Sequence, residues 1–398
     1  MSATSPTIDS KLDKESWFGL LFDPLDVLLF RDGRPFGEAN RVVSQLPFPQ
    51  TIAGAIRTAL LRNTGFDFKA FSSLRQSGLN EKEDDNAIVK KLLACGAKPE
   101  IVQAEFRGPW LAKKAMNSDG DQKSYETLFP FPANLKESIN DPDRFLISRP
   151  VSADSVPGWH HPKSLRPLKF SEQPNSKADI KLLTLRGLLK YLHAFETKTD
   201  ALDFAAGEVV DPKQLYFRDF RVGNRIDPER LATADRELYG VGFLALQRDA
   251  RIYVEINTTT QVVDQIRNHA ISIGGEGKYS HVEVCEACDF PTYDASRKRT
   301  VWYLATPTFL DASDHRPIPK SNHGPVVSAA SGFGIGVSGW DVSRGGPKKT
   351  KFAIPAGAIY FLDGPGSAVD FINYDGSEHA LLQEGWGFAI QGNWSDMQ

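Results

Sequence analysis

Residues 238–284 read LYGVGFLALQRDARIYVEINTTTQVVDQIRNHAISIGGEGKYSHVEV, and the succession of patterns in this stretch decides the fold class. Leu238–Leu246 and Arg251–Ile256 are strand-like runs about the turn Gln247-Arg248-Asp249-Ala250. A helix is expected over Gln261–His269. Ile273-Gly274-Gly275-Glu276-Gly277-Lys278 then makes a glycine turn feeding the alternating strand His281–Val284. Hairpin, helix, turn and strand in that order suit a ferredoxin-like split unit.

Upstream, residues 1–15 are polar and read as a loose tail. Trp17–Phe22 and Val27–Phe30 read as a buried strand interrupted by Asp23-Pro24, and Arg31-Asp32-Gly33-Arg34-Pro35 supplies a strong turn. Pro47-Phe48-Pro49 opens a helix whose Ile52, Ile56, Ala59 and Leu60 share one face. Residues 66–100 resemble a charged insertion with helical character at 88–93, and Val102–Phe106 returns to strand. Residues 117–178 show little periodicity, and Leu182–Leu192 reads as a short helix. Further strands are expected at Val301–Ala305, Phe333–Val337, Ala358–Leu362 and Gly387–Ile390. The fold class is therefore α+β, and a chain of this length is expected to form two domains, 16–210 and 211–398, with long loop and hairpin insertions.

The 398 residues are 41% hydrophobic and 24% charged, enough to bury a core. Set against 50 acidic side chains, 47 basic ones leave a net charge of −3, so any nucleic-acid site must be a local basic patch. Neither an export signal nor an apolar run of membrane-spanning length is seen, and three cysteines cannot frame a protein of this size; a reducing cytoplasm is expected.

Two stretches, DVLLFRDGRPF at 26–36 and PFPQTIAGAIR at 47–57, resemble the N-terminal signature of the third subunit of type III-B, Cmr-type CRISPR effector complexes, members of the repeat-associated (RAMP) superfamily. The resemblance continues through Leu238-Tyr239, Gly274-Gly275-Glu276-Gly277, Gly339-Trp340-Asp341 and Pro355–Tyr360. It ends on Gly385-x-Gly387-x4-Gly392, similar to the glycine-rich C-terminal loop of RAMP proteins; residues 62–178 carry little of the pattern. The resemblance implies that the two domains are two ferredoxin-like, RRM-related domains that hold the repeat-derived 5′ tag of a guide crRNA. It also implies a large polymerase-type subunit and adjacent backbone RAMP subunits as partners, no cofactor, and a scaffold rather than a nuclease.

Several residues suit that chemistry. Arg31 and Arg34 flank a tight turn, with Arg41 beyond it, and can present guanidinium groups to successive phosphates. Arg57 lies off the apolar stripe of its helix. Gly274, Gly275 and Gly277 beside Lys278, and Gly385 and Gly387, can expose consecutive amides to phosphate, although tight turns alone demand such glycines. Arg297-Lys298-Arg299 and Lys348-Lys349-x-Lys351 are short basic runs suited to solvent, RNA or an acidic partner. Cys285-x-x-Cys288 with His281 looks like half a zinc site; Cys95 is the only other thiol, so packed thiols and no metal are expected. Guide-processing nucleases of the superfamily commonly use a histidine near the first helix, and Pro47–Arg62 contains none, so no catalytic residue is assigned. The rival readings are such an endoribonuclease, or a β-rich enzyme with a deep polar pocket for a phosphorylated substrate.

Overall fold

The computed structural model describes residues 15–30, 42–76, 85–115, 124–160, 165–176, 180–227, 232–309, 318, 324–341, 346–348, 350–366 and 383–396. The strands of the first half that bear on the site are β1 (Ser16–Pro24), β2 (Val42–Val43), β3 (Glu105–Lys114), β4 (Tyr125–Pro130), β5 (Leu182–Thr184) and β6 (Val209–Val210). Next come β7 (Tyr216–Asp227), β8 (Ala232–Leu246), β9 (Ala250–Thr258), β10 (Ala270–Ser272) and β11 (Tyr279–Glu286). Then follow β12 (Thr300–Leu304), β13 (Val326–Ala330), β14 (Ile335–Val337), β15 (Lys351–Ile354), β16 (Ile359–Leu362) and β17 (Ala389–Asn393). The helices are α1 (Pro49–Asn63), α2 (Phe68–Gln76), α3 (Asp85–Ala94), α4 (Pro99–Val102), α5 (Leu185–Ala194) and α6 (Thr260–Val263).

Alternation in β1 sets the layering. Successive strand residues face opposite ways, so Leu20 and Phe22 enter a core beneath α1 with Ile52, Ile56, Leu60, Val254 and Ile256. Leu21 enters a second core, with Trp110 and Tyr253 from neighbouring strands, Tyr191 and Phe195 at α5, and Val301, Tyr303, Ile359 and Phe361 from the C-terminal sheet. These strands belong to one eight-stranded antiparallel sheet in the order β6-β5-β4-β3-β9-β1-β11-β10. β1 pairs Leu20 with both Val254 and Val284, so the sheet runs across the boundary expected at residue 210. The remaining ladders include β13-β16-β12-β17, the set Thr308–Phe309, β15 and β14, and β7-β8-β2. Trp110 Nε1 donates to the Ala305 carbonyl at 2.8 Å and Tyr303 to the Pro130 carbonyl at 2.6 Å, joining the eight-stranded sheet to the C-terminal one.

α1 begins where its sequence says, with Pro49 in the first turn and Phe48 extended before it. Two local expectations change. β8 does not form a hairpin with β9: it pairs with β7 and β2, while β9 pairs with β3 and β1. The Gln247 amide instead bonds the Leu215 carbonyl at 2.7 Å, and the turn passes the chain between sheets. The expected helix 261–269 is regular only over Thr260–Val263; Asn268, at φ 58°, turns the chain and donates its amide to Val282. Among the described residues, no helix is long and apolar enough to cross a membrane.

Candidate nucleic-acid interface

Arg31, Arg34 and Arg41 lie outside the described residues, but both ends of their loop are described. The Phe30 amide donates to Ser44 Oγ at 2.9 Å and the Gln45 amide to the Phe30 carbonyl at 3.2 Å, so the chain leaves and returns at one place. There Val42 and Val43 of β2 pair in parallel with Val241 and Gly242 of β8, and Leu28 bridges Leu244.

The glycine turn meets the same place. The Gly275 amide donates to the Leu29 carbonyl at 2.8 Å. Gly274 has φ 74°, and a Cβ there would stand 2.5 Å from the Leu29 carbonyl oxygen. Lys278 Nζ lies 2.7 Å from Asp26, which Arg221 of β7 also approaches at 3.5 Å. The Lys278 hydrogen bond pulls the Asp26 carboxyl down to about 2. Asp26 is half exposed, and ion pairs of this kind contribute only about 0–1 kcal/mol, so another anion can compete with the carboxylate for Lys278. β7 adds the exposed Phe217 on the face that carries Arg221; Phe220, also exposed, and Arg218, which lies over Tyr216 and keeps a buried Nη1 without a hydrogen-bond partner, take the opposite face. Arg218, Arg221 and both phenylalanines escaped the sequence reading. The signal was present in the aromatic- and arginine-rich run Tyr216-Phe217-Arg218-Asp219-Phe220-Arg221-Val222.

The other candidates lie elsewhere. The Arg57 guanidinium donates to the Ala104 carbonyl at 2.9 Å and rests over Phe106, with burial lowering its pKa; it braces α1 against β3. Gly385 and Gly387 take φ 95° and 69° around Trp386, and a Cβ on Gly385 would come within 3.0 Å of the Gly108 carbonyl oxygen. This loop packs toward the start of α1, where Trp386 stacks on Phe48. Arg297 pairs with Asp294, Arg299 with Asp363 and Asp396, and Lys298 is exposed, all at or before β12 of the C-terminal sheet. The structure thus joins Gly274, Gly275, Gly277 and Lys278 to the ends of the basic loop, and leaves Arg57, Arg297, Arg299, Gly385 and Gly387 in other surroundings.

Cys288 Sγ bonds Thr127 Oγ1 at 3.3 Å, and burial pushes the Cys285 and Cys288 thiols up to about 12 and about 11, which suits packed thiols. A small pocket lined by Leu46, Pro47, Trp110, Leu128 and Leu182 is apolar.

Gly274→Ala is expected to destabilise the protein by about 1–3 kcal/mol, because the left-handed backbone and the Leu29 carbonyl both oppose a side chain. Gly277→Asn, at φ 62° with open space around it, is expected to cost under about 1 kcal/mol. Urea denaturation of the two variants checks the contrast.

Residues 20–394 match the family model described as CRISPR-associated protein (Cas_Cmr3). No curated protein matches the chain. Among solved structures, it is similar to a chain of a type III-B Cmr-beta complex bound to cognate target RNA, with 17% identity, 86% of each chain covered and a TM-score of 0.47. The same complex bound to cognate target RNA and AMPPnP gives 16%, 86% of each chain and 0.45. A chain of a Csm1–Csm4 cassette in complex with pppApA gives 10%, 88% of this chain, 89% of that chain and 0.32.

Proposed function

The chain belongs to the family of CRISPR-associated proteins described as Cas_Cmr3, and from that premise we propose that it is a non-catalytic subunit of a type III-B effector complex, binding the 5′ repeat-derived tag of the guide crRNA. It docks the large polymerase-type subunit and abuts the backbone RAMP subunits. The observation that carries the RNA-binding reading is the convergence of the basic loop's two ends, the glycine turn with Lys278, and Arg221 with the exposed Phe217 on one face of β7. Cations to neutralise phosphates beside exposed rings to stack on bases are what single-stranded RNA requires.

The strand order β3-β9-β1-β11, with α1 after β1 and α6 after β9, supports reading these elements as one ferredoxin-like unit. On this reading the unit takes β9, α6 and β11 from beyond residue 210, and the insertion between β3 and β9 helps to build the second domain.

Replacing Arg31, Arg34 and Arg41 together by Ala is expected to weaken guide retention and to lower the salt dependence of binding by about two units of slope, at roughly 0.7 per phosphate contact on single strands. The fold should be unchanged by circular dichroism. Pull-down of the tagged protein from its native cells, with sequencing of bound RNA and identification of bound chains, tests the whole reading. Short RNAs sharing one 5′ tag, with a large polymerase-type subunit, are the expected result; a solitary protein without RNA overturns it.

A further inference from the structure

The small sheet of Thr308–Phe309, β15 and β14 has two unlike faces. Val337, Ala353 and Phe309 point inward onto the fully buried Trp386. The outer side shows Phe352 at 76% exposure, and the adjoining run Gly332-Phe333-Gly334-Ile335-Gly336 shows Phe333 at 98%. Gly336 sits directly opposite Phe352.

Local structure does not demand Gly334 or Gly336. Neither Gly334 nor Gly336 has a positive φ. A Cβ on Gly336 would meet nothing nearer than Thr350 at 4.0 Å, and one on Gly334 nothing nearer than the Ala353 carbonyl oxygen at 3.8 Å. Glycine within or beside a strand weakens it, and without a packing or backbone reason it marks a place that something approaches closely. Here the missing side chains leave a flat strip of backbone beside an exposed ring.

We propose that this outer face is a stacking platform for unpaired bases of single-stranded RNA, with Phe333 and Phe352 as the stacking rings. The inference rests on the reading of the chain as a guide-binding subunit. Planar bases fit a flat, glycine-cleared strip, whereas the anchor side chain of a protein partner needs a pocket. Charge favours the same occupant. Residues 331–337 and 350–354 contain no acidic residue, Lys351 adjoins Phe352, and the nearby Lys348 donates its Nζ to the neutral amide of Gln50 at 3.2 Å.

The test compares an unstructured oligoadenylate of about a dozen nucleotides with an abasic strand of the same length, each titrated against full-length protein. Phe333→Ala/Phe352→Ala is expected to bind oligoadenylate roughly ten-fold or more weakly, with an unchanged salt slope and unchanged affinity for the abasic strand. Phe333→Trp/Phe352→Trp should bind at least as well as the parent. Equal binding of oligoadenylate by parent and double-alanine variant overturns the platform. So does a variant that keeps its RNA affinity but loses a co-purifying chain, which would make the face a protein contact. Guide content of the complex isolated from cells separates the two levels: parent complex without guide sinks the functional reading, whereas guide present with no effect of the phenylalanines sinks only the platform.

Discussion

Trp386→Ala is expected to lower stability by about 3–5 kcal/mol, the range for removing a large buried aromatic. Its indole is fully buried, stacked on Phe48 at 5.9 Å and tilted against Phe309 at 4.6 Å, with Nε1 donating to Glu384 at 3.2 Å. Phe48 precedes α1, and Phe309 and Val337 belong to the small C-terminal sheet, so one ring joins the glycine-rich loop to two other elements. The damage should concentrate there. Hydrogen exchange is expected to rise first in residues 384–388 and around Phe48, with the amides of β1 and β9 staying protected. Trp386→Phe keeps most of the contact and should cost roughly a third as much. If Trp386→Ala melts like the parent, this ring does not hold the loop.

Arg107→Ala is expected to destabilise by on the order of 3 kcal/mol at neutral pH, because it strands a buried carboxylate. Glu255 is fully buried; its Oε1 accepts from the Cys288 amide at 2.7 Å and from Tyr253 at 2.9 Å. Oε2 has no hydrogen bond and stands 3.6 Å from Arg107, a charge contact only. Arg107 also lies 3.7 Å over the Trp17 ring, a contact that Arg107→Lys would weaken while keeping the charge.

The pH dependence gives this prediction its sign. Burial raises the Glu255 carboxyl above its ordinary 4.5, against the opposing pull of the Cys288 amide, Tyr253 and Arg107. Between those two values the folded chain holds more protons than the unfolded one, so this group's contribution falls as pH rises through the window. Removing Arg107 lifts the folded value further and widens the window upward. The deficit of Arg107→Ala should therefore be smallest in acid and grow toward neutral pH, and Glu255→Gln in the same background should flatten it. Melting temperatures from pH 4 to 8 decide the matter, and a deficit independent of pH would show that Glu255 does not sense Arg107.

The sequence by itself was enough for α1, whose proline and i, i+4 stripe act within a few residues, and for β1, whose alternation exposes one face to each core. It was enough, too, for the family, because the paired motifs at 26–36 and 47–57 and the glycine turns are themselves stretches of chain. Only the tertiary structure decided that β1 lies between β9 and β11, and that β8 takes β7 rather than β9 as partner. Strands compete for the same backbone hydrogen bonds, and the winner depends on faces buried together far along the chain. The same holds for the site. A basic or glycine-rich run looks alike in sequence whether it is tied to a neighbour or turned outward. Folding ties Arg57 to the Ala104 carbonyl and Arg299 to Asp363 and Asp396, and leaves Phe220, Phe333 and Phe352 exposed. The partners of each side chain come from distant segments, so its surroundings exist only once the sheets have assembled.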